Sequence, residues 1–428
     1  MARVSRLVRL ATVAAVASLF ATAPAEASRY VQYGIQDDAW LLGGPGTFDE
    51  RLQQVKELGV DVVRINIRWD QVSARRPRKQ TNHLDPAYRW AVPDVLLQGL
   101  RRWEITPVVT LVGTPRWANG GRAPNAAPRS RNNLASFAVA VANRYPWVRR
   151  WLIWNEPNKY WQLKPTSARV YTRTLLNPAY AALKRANPRN QVGAGVTAPR
   201  GGRGSVSPVD WIRGMRASGA RFDAYAHHPY PLTRRETPTR GGCRACENIT
   251  MANLERLLTH VRRAWGTRKR IWLTEYGYQT NPPDRLLGVS QRLQAQYLAE
   301  AALRAYRAPR VDMLIRFLVR DEERVTRWQS GLYTFGDEPK LSAAAFALPL
   351  VQASRRGAVV QLWGQVRPRT GSETFRLRFA YRGSGWRWLG GTRSTTARGF
   401  WSVRARIPRG TAVQVAWNGR LSAVLIVR

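Results

Sequence analysis

Two glutamates at the ends of short apolar runs are the residues whose chemistry is easiest to name. Glu156 follows residues 151–154 within Trp-Asn-Glu-Pro-Asn, and Glu275 follows residues 271–273 within Trp-Leu-Thr-Glu-Tyr-Gly. Continuous apolar runs of this length are typical of parallel strands covered on both faces. Cleavage of a glycosidic bond needs one carboxyl group that protonates the leaving oxygen and a second that attacks carbon or activates water. The pair therefore indicates chemistry of that kind.

The elements that must position these glutamates follow a regular order. Eight apolar runs of strand length occur between residues 31 and 320, and segments with helical periodicity separate them. This alternation favours a closed (β/α)₈ barrel, an α/β fold, over an open doubly wound sheet. No glycine-rich phosphate-binding motif follows the first run, which disfavours nucleotide binding. The predicted strands are 33–35, 60–67, 106–112, 151–154, 192–196, 222–226, 271–274 and 311–319, and the clearest predicted helices are 48–58, 134–144, 170–186 and 251–265.

The pattern changes near the end of the chain. Short runs with period-two alternation, divided by turn-rich stretches, predict a small all-β, sandwich-like domain over residues 356–428, after a catalytic barrel over residues 28–352. Glu373 is the only side-chain carboxylate of that last segment, so the segment is strongly basic. An anchor or glycan-binding accessory and a lid packed on the barrel are both open interpretations. Its predicted strands are 359–363, 375–379, 401–405, 412–417 and 423–427.

The N-terminus has the pattern of an export signal. Three arginines precede an apolar stretch over residues 10–23, and a small-x-small cleavage motif ends at Ala27. Residues 1–27 are therefore predicted to be a signal peptide and the mature protein to be secreted. A retained signal anchor is the alternative that the same pattern allows.

The two cysteines, Cys243 and Cys246, lie in one short loop. Zinc would need further ligands at suitable spacing, and none lie nearby in the sequence. The loop does not open a thioredoxin-like βαβ unit either. A local disulfide, formed after export, is the interpretation we favour.

The formal charge of the chain is +42, and loss of the leader would remove three arginines and one glutamate, leaving +40. A field of this sign favours anionic partners such as acidic glycans, cell-wall polymers or lipid headgroups. No nucleic-acid-binding motif is present, so no specific nucleic acid is expected. A basic surface that only keeps the protein soluble is the alternative. Arg116, Arg234 and Arg320 fall in predicted loops of the catalytic face, where they could meet acidic groups.

The two glutamate motifs, in this order and at a fourth and a seventh strand, resemble clan A of the glycoside hydrolases, with families 39 and 5 nearest. The resemblance covers residues 31–350. It implies a retaining mechanism in which Glu156 is the general acid/base and Glu275 the nucleophile, without a metal or an organic cofactor. Retention requires a short separation, at which the charge of Glu275 is expected to keep Glu156 protonated.

The resemblance also implies roles for four neighbours. Asn155 matches an asparagine that bonds the 2-hydroxyl of the sugar, and Arg64 matches an arginine that holds the nucleophile ionised and oriented. His228 and Tyr230 match a histidine and a tyrosine beside the two carboxylates, with Tyr230 donating to Glu275. A salt bridge without catalytic consequence remains an alternative for Arg64, and a structural histidine for His228.

Aromatic residues in loops are candidates for stacking on sugar rings, with ordinary packing as the alternative for each. These candidates are Trp117, Tyr160, Trp161 and Tyr278. The third-strand region differs from family 5 and leans toward family 39. The eighth strand lacks the tryptophan usual in family 5, and Phe317 and Trp328 are the candidates to replace it.

Taken together, these patterns predict a monomeric, exported, retaining β-glycosidase that acts on a β-linked oligo- or polysaccharide. Electrostatic association with an anionic cell envelope is a further expectation. Two alternatives remain open: a catalytically silent glycan- or envelope-binding protein on the same scaffold, and a transglycosylase that uses the same residues.

Overall fold

The computed structural model of the chain describes residue 28 and residues 30–243, 246–381 and 383–428. Its centre is a closed barrel of eight parallel strands in sequence order. The predicted barrel fold is therefore confirmed, and each strand overlaps the apolar run that predicted it. The strands are β1 (Gln32–Gln36), β2 (Val62–Arg68), β3 (Thr106–Val112), β4 (Arg150–Ile153), β5 (Gln191–Thr197), β6 (Ala224–His227), β7 (Arg270–Tyr276) and β8 (Val311–Phe317).

Helices connect the strands and cover the outside of the barrel. Local sequence explains where several begin: Thr47 and Glu50, for example, form a reciprocal capping box at the start of the second helix. The helices are α1 (Asp38–Gly43), α2 (Phe48–Glu57), α3 (Trp69–Val72), α4 (Ala91–Arg102), α5 (Arg116–Asn119), α6 (Arg131–Arg144), α7 (Ala168–Val170), a π-helical turn (Tyr171–Leu176), α8 (Asn177–Ala186), α9 (Pro208–Ala217), a 3₁₀ turn (Met251–Asn253), α10 (Leu254–Trp265), α11 (Gln291–Arg307) and α12 (Leu341–Ala347).

Side chains fill the inside of the barrel, so it is a packed core and not a pore. Trp272 of β7 is the largest of them and is 2% exposed. Gly193 of β5 makes room for it, because a Cβ at that position would lie 2.6 Å from Leu152 Cδ2 and 2.8 Å from Trp272 Cε3. Because Gly193 has no side chain, the barrel interior has room for the indole of Trp272.

The C-terminal segment forms two antiparallel sheets that enclose their own apolar core. The predicted C-terminal β domain is therefore confirmed as a fold. The first sheet has the order β14-β10-β9; the second has the order β12-β11-β15-β16, with β13 paired to β11 and β17 to β15. The strands are β9 (Leu350–Arg356), β10 (Val359–Gln365), β11 (Thr374–Ala380), β12 (Arg387–Trp388), β13 (Arg393–Ser394), β14 (Phe400–Arg406), β15 (Ala412–Trp417), β16 (Arg420–Leu421) and β17 (Leu425–Ile426).

This C-terminal module packs against the barrel at the N-terminal ends of its strands. Tyr306, at the end of α11, contacts the rings of Trp363 and Phe400, with centroid distances of 5.3 and 4.6 Å. Arg369 forms an ion pair of 2.9 Å with Asp61, which directly precedes β2. The module is therefore packed on the barrel, as the lid interpretation expected, but at the end opposite to the C-terminal ends of the strands.

Cys243 and Cys246 form a disulfide, which confirms that expectation. Among the described residues, no helix combines the length and the apolar character needed to cross a membrane. The predicted signal peptide, residues 1–27, lies outside the described residues.

Candidate active site

Both glutamates lie at the C-terminal ends of barrel strands. Glu275 is the last residue but one of β7, and Glu156 lies three residues after the end of β4. Trp154 and Glu156 have φ angles of 72° and 42°, in the left-handed region that residues other than glycine rarely adopt. The N–H of Glu156 donates to the carbonyl of Val196 at 2.9 Å. Backbone held in this way is common at functional sites, because the surrounding structure must supply the free energy that it costs.

Two donors orient the Glu275 carboxylate. Arg64 donates from Nη1 to Oε1 at 2.7 Å, and the Tyr230 hydroxyl donates to Oε2 at 3.2 Å. The Glu275 side chain is only 10% exposed. Burial also raises the pKa of Tyr230 well above its ordinary value, so its hydroxyl stays a donor. Each carboxylate oxygen therefore has a fixed partner, and the group cannot rotate freely in the cleft.

Arg64 is fully buried and connects four elements of the site. Besides Glu275, its Nη2 donates to Asn155 Oδ1 at 2.6 Å and its Nε donates to Thr110 Oγ1 at 2.9 Å. The bond to Asn155 fixes the orientation of that amide, because the oxygen must face the arginine. The amide NH₂ group is then the end that can donate to a bound molecule.

His228 lies between Arg64 and Glu156, and its neighbours define its tautomer. Nε2 is 3.2 Å from Arg64 Nη1, and Nδ1 is 3.0 Å from Glu156 Oε1. Burial lowers the pKa of His228 to about 3, so the ring is neutral at physiological pH. A guanidinium can only donate, so Nε2 accepts and Nδ1 carries the proton that it donates to Glu156.

The pKa of the Glu156 carboxyl group is shifted in the direction that a general acid needs. Burial raises its pKa to about 7, while the positive charges of Lys159 and Arg64 act in the opposite direction. The sequence-based expectation of a protonated Glu156 therefore has a different main cause from the charge of Glu275. With 16% of its side chain exposed, Glu156 is buried enough to hold a proton near neutral pH and open enough to transfer it.

Oxygens of Glu156 and Glu275 and a ring nitrogen of His228 lie within 4.8 Å of one another. Such groups can ligate a divalent cation. Arg64, however, already places a positive charge against both Glu275 and His228, and a cation would meet it at short range. The arrangement therefore suits two carboxyl groups acting on one bound molecule better than it suits a metal.

These groups open into a cleft of about 690 Å³. Aromatic residues line part of it: Tyr230, Trp161, Tyr278, Phe317 and Trp328. Trp328 packs on Tyr230 with ring centroids 5.1 Å apart and on Phe317 at 5.4 Å. The two residues that the sequence suggested as replacements for the usual eighth-strand tryptophan are therefore together beside the carboxylates.

The aromatic candidates separate into distinct environments. Trp161 lines the cleft and is 51% exposed. Tyr278 also borders the cleft but is buried, and its hydroxyl donates to the Glu236 carbonyl at 2.7 Å. Trp117 packs elsewhere: its indole N–H donates to the Ser73 carbonyl at 2.7 Å, and it does not belong to the cleft lining within the described residues.

The three arginines predicted in loops of the catalytic face lie in different places. Arg234 lines the cleft. Arg320 pairs with Asp337 at 3.2 Å and lines a neighbouring groove, so it is directed away from the carboxylates. Arg116 is exposed on α5 and lies outside the cleft lining of the described residues.

Lys159 and Thr110 are among the residues of the site that the sequence interpretation missed. Lys159 lines the cleft, and its ammonium donates to the Arg200 carbonyl at 2.5 Å. A lysine directly after the Trp-Asn-Glu-Pro-Asn motif, in a chain that otherwise prefers arginine, was the available signal. Thr110, which holds Arg64, had no such signal, because threonine is ordinary in a strand.

No protein-family model matches the sequence, and no curated protein is similar to it. Solved structures are similar in fold. A family 39 glycoside hydrolase from the gut symbiont Bacteroides cellulosilyticus WH2 matches with TM-score 0.59 and 17% identity, over 93% of this chain and 81% of that one. The chain has the fold of glycoside hydrolases. A glucosidase from Croceicoccus marinus gives TM-score 0.59 and 12% identity, over 92% and 96% of the two chains.

A GH5_18 structure from Streptomyces cattleya, in complex with GlcNAc, matches with TM-score 0.54 and 17% identity. It covers 74% of this chain, and this chain covers 79% of it. The match to the family 39 hydrolase is therefore more extensive along this chain.

Proposed function

We propose that the protein is a retaining β-glycoside hydrolase, with Glu156 as general acid/base and Glu275 as nucleophile. The observation that carries the proposal is that an oxygen of Glu156 and an oxygen of Glu275 lie within 4.8 Å of each other, with His228 bonded to the first group and Arg64 and Tyr230 to the second. Direct attack by a carboxylate needs a separation of about 5–5.5 Å, whereas inversion needs room for a water and about 6.5–9.5 Å. The short separation favours retention.

In the first step, a Glu275 oxygen attacks the anomeric carbon while Glu156 gives its proton to the glycosidic oxygen. The bond between the anomeric carbon and that oxygen breaks, and a glycosyl ester of Glu275 forms. His228 donates to Glu156 Oε1, so the transferable proton belongs on Oε2. The raised pKa of Glu156 makes that proton available near pH 7.

In the second step, Glu156 is ionised and takes a proton from water as the water attacks the anomeric carbon. The ester bond to Glu275 breaks, and its carboxylate returns to Arg64 and Tyr230. The NH₂ group of Asn155 is positioned to donate to a sugar hydroxyl, and such bonds strengthen as positive charge develops on the sugar.

The substrate class that we propose is a β-linked glycan that carries acidic groups. Lys159, Arg200, Arg234 and Arg327 line the cleft, and no carboxylate among the described residues forms an ion pair with them. Cations at the rim would bind carboxylate or sulfate groups of the glycan and raise its local concentration. Trp161 offers an exposed aromatic face beside Lys159.

We also propose that the protein is exported as a monomer with an N-terminal signal peptide, a catalytic domain over residues 28–352 and an accessory domain over residues 356–428. The basic leader with its apolar stretch supports export. The disulfide is compatible with an oxidising compartment.

Hydrolysis of aryl β-glycosides and of a polysaccharide panel tests the proposal, with Glu156→Gln and Glu275→Gln compared against the matched surface variant Glu323→Gln. We expect the first two variants to lose at least about 10³-fold in kcat and the third to stay unchanged. Azide should restore turnover of Glu156→Gln on aryl substrates and yield a β-glycosyl azide, because the anion replaces water without needing a base.

Unchanged activity in both glutamine variants would contradict the catalytic assignment. If neither the protein nor its variants turn over any substrate, the silent binding protein becomes the better description. Product analysis at high sugar concentration separates hydrolysis from transglycosylation, since only the latter gives longer products.

A further inference from the structure

The outer face of the second C-terminal sheet carries an arrangement that the cleft does not need. Trp386 and Trp388 are 41% and 47% exposed there. Arg378 lies over the Trp386 ring at 4.5 Å, and Arg376 lies over the Trp388 ring at 3.8 Å. Exposed indoles in pairs are unusual on a soluble surface without a role in recognition.

Strand register explains why these four side chains share one face. Arg378 is opposite Trp388 in the β11–β12 pairing, and residues two apart on a strand point to the same side. Phe375 and Leu377, between and beside the arginines, point inward to the core of the module. The arginine–tryptophan face is therefore the solvent side of the sheet.

The face is open to solvent at one edge of its sheet. The second sheet packs on the first sheet through the shared core of the module. It also reaches the barrel at its other edge, where Arg420 of β16 donates to the Glu57 carbonyl at 2.8 Å. Strand β12 is the edge opposite to β16, and Trp386 and Trp388 are exposed there.

Fixed guanidinium groups make this face suited to anions. Arg378 donates to Gln414 Oε1 from Nε at 3.1 Å and from Nη2 at 2.7 Å, which fixes its guanidinium next to the Trp386 ring. Neither Arg376 nor Arg378 forms an ion pair with a carboxylate of the described residues. These bonds leave Nη1 of Arg378 without a hydrogen-bond partner among the described residues, so it can donate to a carboxylate or sulfate group, while the indoles offer apolar surface.

We propose that Arg376, Arg378, Trp386 and Trp388 form a second, non-catalytic binding site for an anionic polysaccharide. The choice of a glycan rests on the proposed function of the cleft, because a tethered binding site raises the concentration of substrate near it. Charge complementarity supports the anionic class: residues 356–428 contain one side-chain carboxylate, Glu373, and it is bound to Trp417.

The site is tested by measuring the binding of anionic carboxymethylcellulose and of neutral hydroxyethylcellulose. The salt concentration is about 0.15 M, at which long-range electrostatic attraction is screened. Biolayer interferometry would compare three full-length double variants: Trp386→Ala/Trp388→Ala, Arg376→Gln/Arg378→Gln, and Arg356→Gln/Arg404→Gln. The last removes the same charge from exposed positions on the other sheet.

We expect the first two variants to bind the anionic polymer roughly tenfold more weakly and the third to bind it nearly as well as the parent. Equal losses in all three would overturn the proposal, since only overall charge would then matter. Equal binding of the neutral polymer, or stronger binding of a single-stranded oligonucleotide or of phosphatidylserine vesicles, would also overturn it.

The outcome is independent of catalysis. Thermal unfolding and turnover of a small aryl glycoside should be unchanged in these surface variants if the protein is a hydrolase. A protein without any turnover would overturn the proposed function, yet its binding to the polymer would still decide whether this second site exists.

Discussion

The protonation of Glu156 is the property on which the proposed chemistry depends most. Burial raises its pKa to about 7, so the acid form is lost as the pH rises through that value. We therefore predict that kcat/KM for an alkyl or unactivated aryl β-glycoside falls above pH 7. A dinitrophenyl glycoside, whose leaving group needs no proton, should keep its activity there. An identical fall for both substrates would contradict the role of Glu156 as the acid.

The same shift has a consequence for stability. A carboxyl group with a raised pKa in the folded state favours folding while it is protonated, and this contribution is lost as the pH rises from its ordinary value of 4.5 toward 7. Glu156→Gln should therefore gain up to about 3 kcal/mol relative to the parent between pH 4.5 and pH 8. Denaturant unfolding at both pH values measures the free energy of unfolding of the variant and the parent. A difference between the two proteins that is the same at both pH values would contradict the raised pKa of Glu156.

Tyr230 tests the positioning of the nucleophile. Its hydroxyl donates to Glu275 at 3.2 Å, and its ring packs on Trp328. Tyr230→Phe keeps the ring and removes only the donor, so we predict a fall of about 10–100-fold in kcat with a small change in KM. A change confined to KM would assign Tyr230 to substrate packing alone.

At the scale of elements, the barrel depends on a complementary pair across its interior. Gly193 of β5 leaves the space that Trp272 of β7 occupies. We predict that Gly193→Ala lowers the free energy of unfolding by about 1–3 kcal/mol, because the added methyl group overpacks the core. Gly43→Ala is the control, since a Cβ there meets nothing within 4 Å. Equal stability of the two variants, measured by thermal unfolding, would refute this.

The helix and strand order was predictable because periodicity is a local property of the sequence. The runs at 106–112 and 412–417 match β3 and β15 in full. β9 was missed, because Leu350–Arg356 combines two buried apolar residues with a mostly polar remainder. Its strand state depends on the hairpin that it forms with β10, which begins after only two intervening residues, and the periodicity of residues 350–356 by itself does not reveal that pairing.

At the scale of the whole molecule, the C-terminal module and the barrel share an aromatic contact. Trp363 is 4% exposed and packs on Tyr306 and Phe400. We predict that Trp363→Ala destabilises the protein by about 3–5 kcal/mol, whereas Trp388→Ala, at an exposed position, changes stability by about 0.5 kcal/mol or less. Calorimetry would measure both. An early separate transition in Trp363→Ala would show that the module detaches before the barrel unfolds.

Much of the candidate site was also predictable, but only as a set of residues. Arg64, Asn155, His228 and Tyr230 were each identified from motifs, and the structure places all four around the carboxylates. Trp117 was an equally plausible aromatic candidate that packs away from them. Loop aromatics could not be sorted in advance, because the direction of a side chain depends on which loops fold beside it.

The sequence by itself determined the eight-fold alternation, the two glutamates at strand ends and the basic character of the last segment, since each is encoded in neighbouring residues. Only the tertiary structure decided how the groups act on one another. Arg64 reaches Glu275 across 211 positions of sequence, and His228 reaches Glu156 across 72. Those long-range contacts define the His228 tautomer, and burial by the whole barrel raises the pKa of Glu156, because desolvation depends on everything packed around a group.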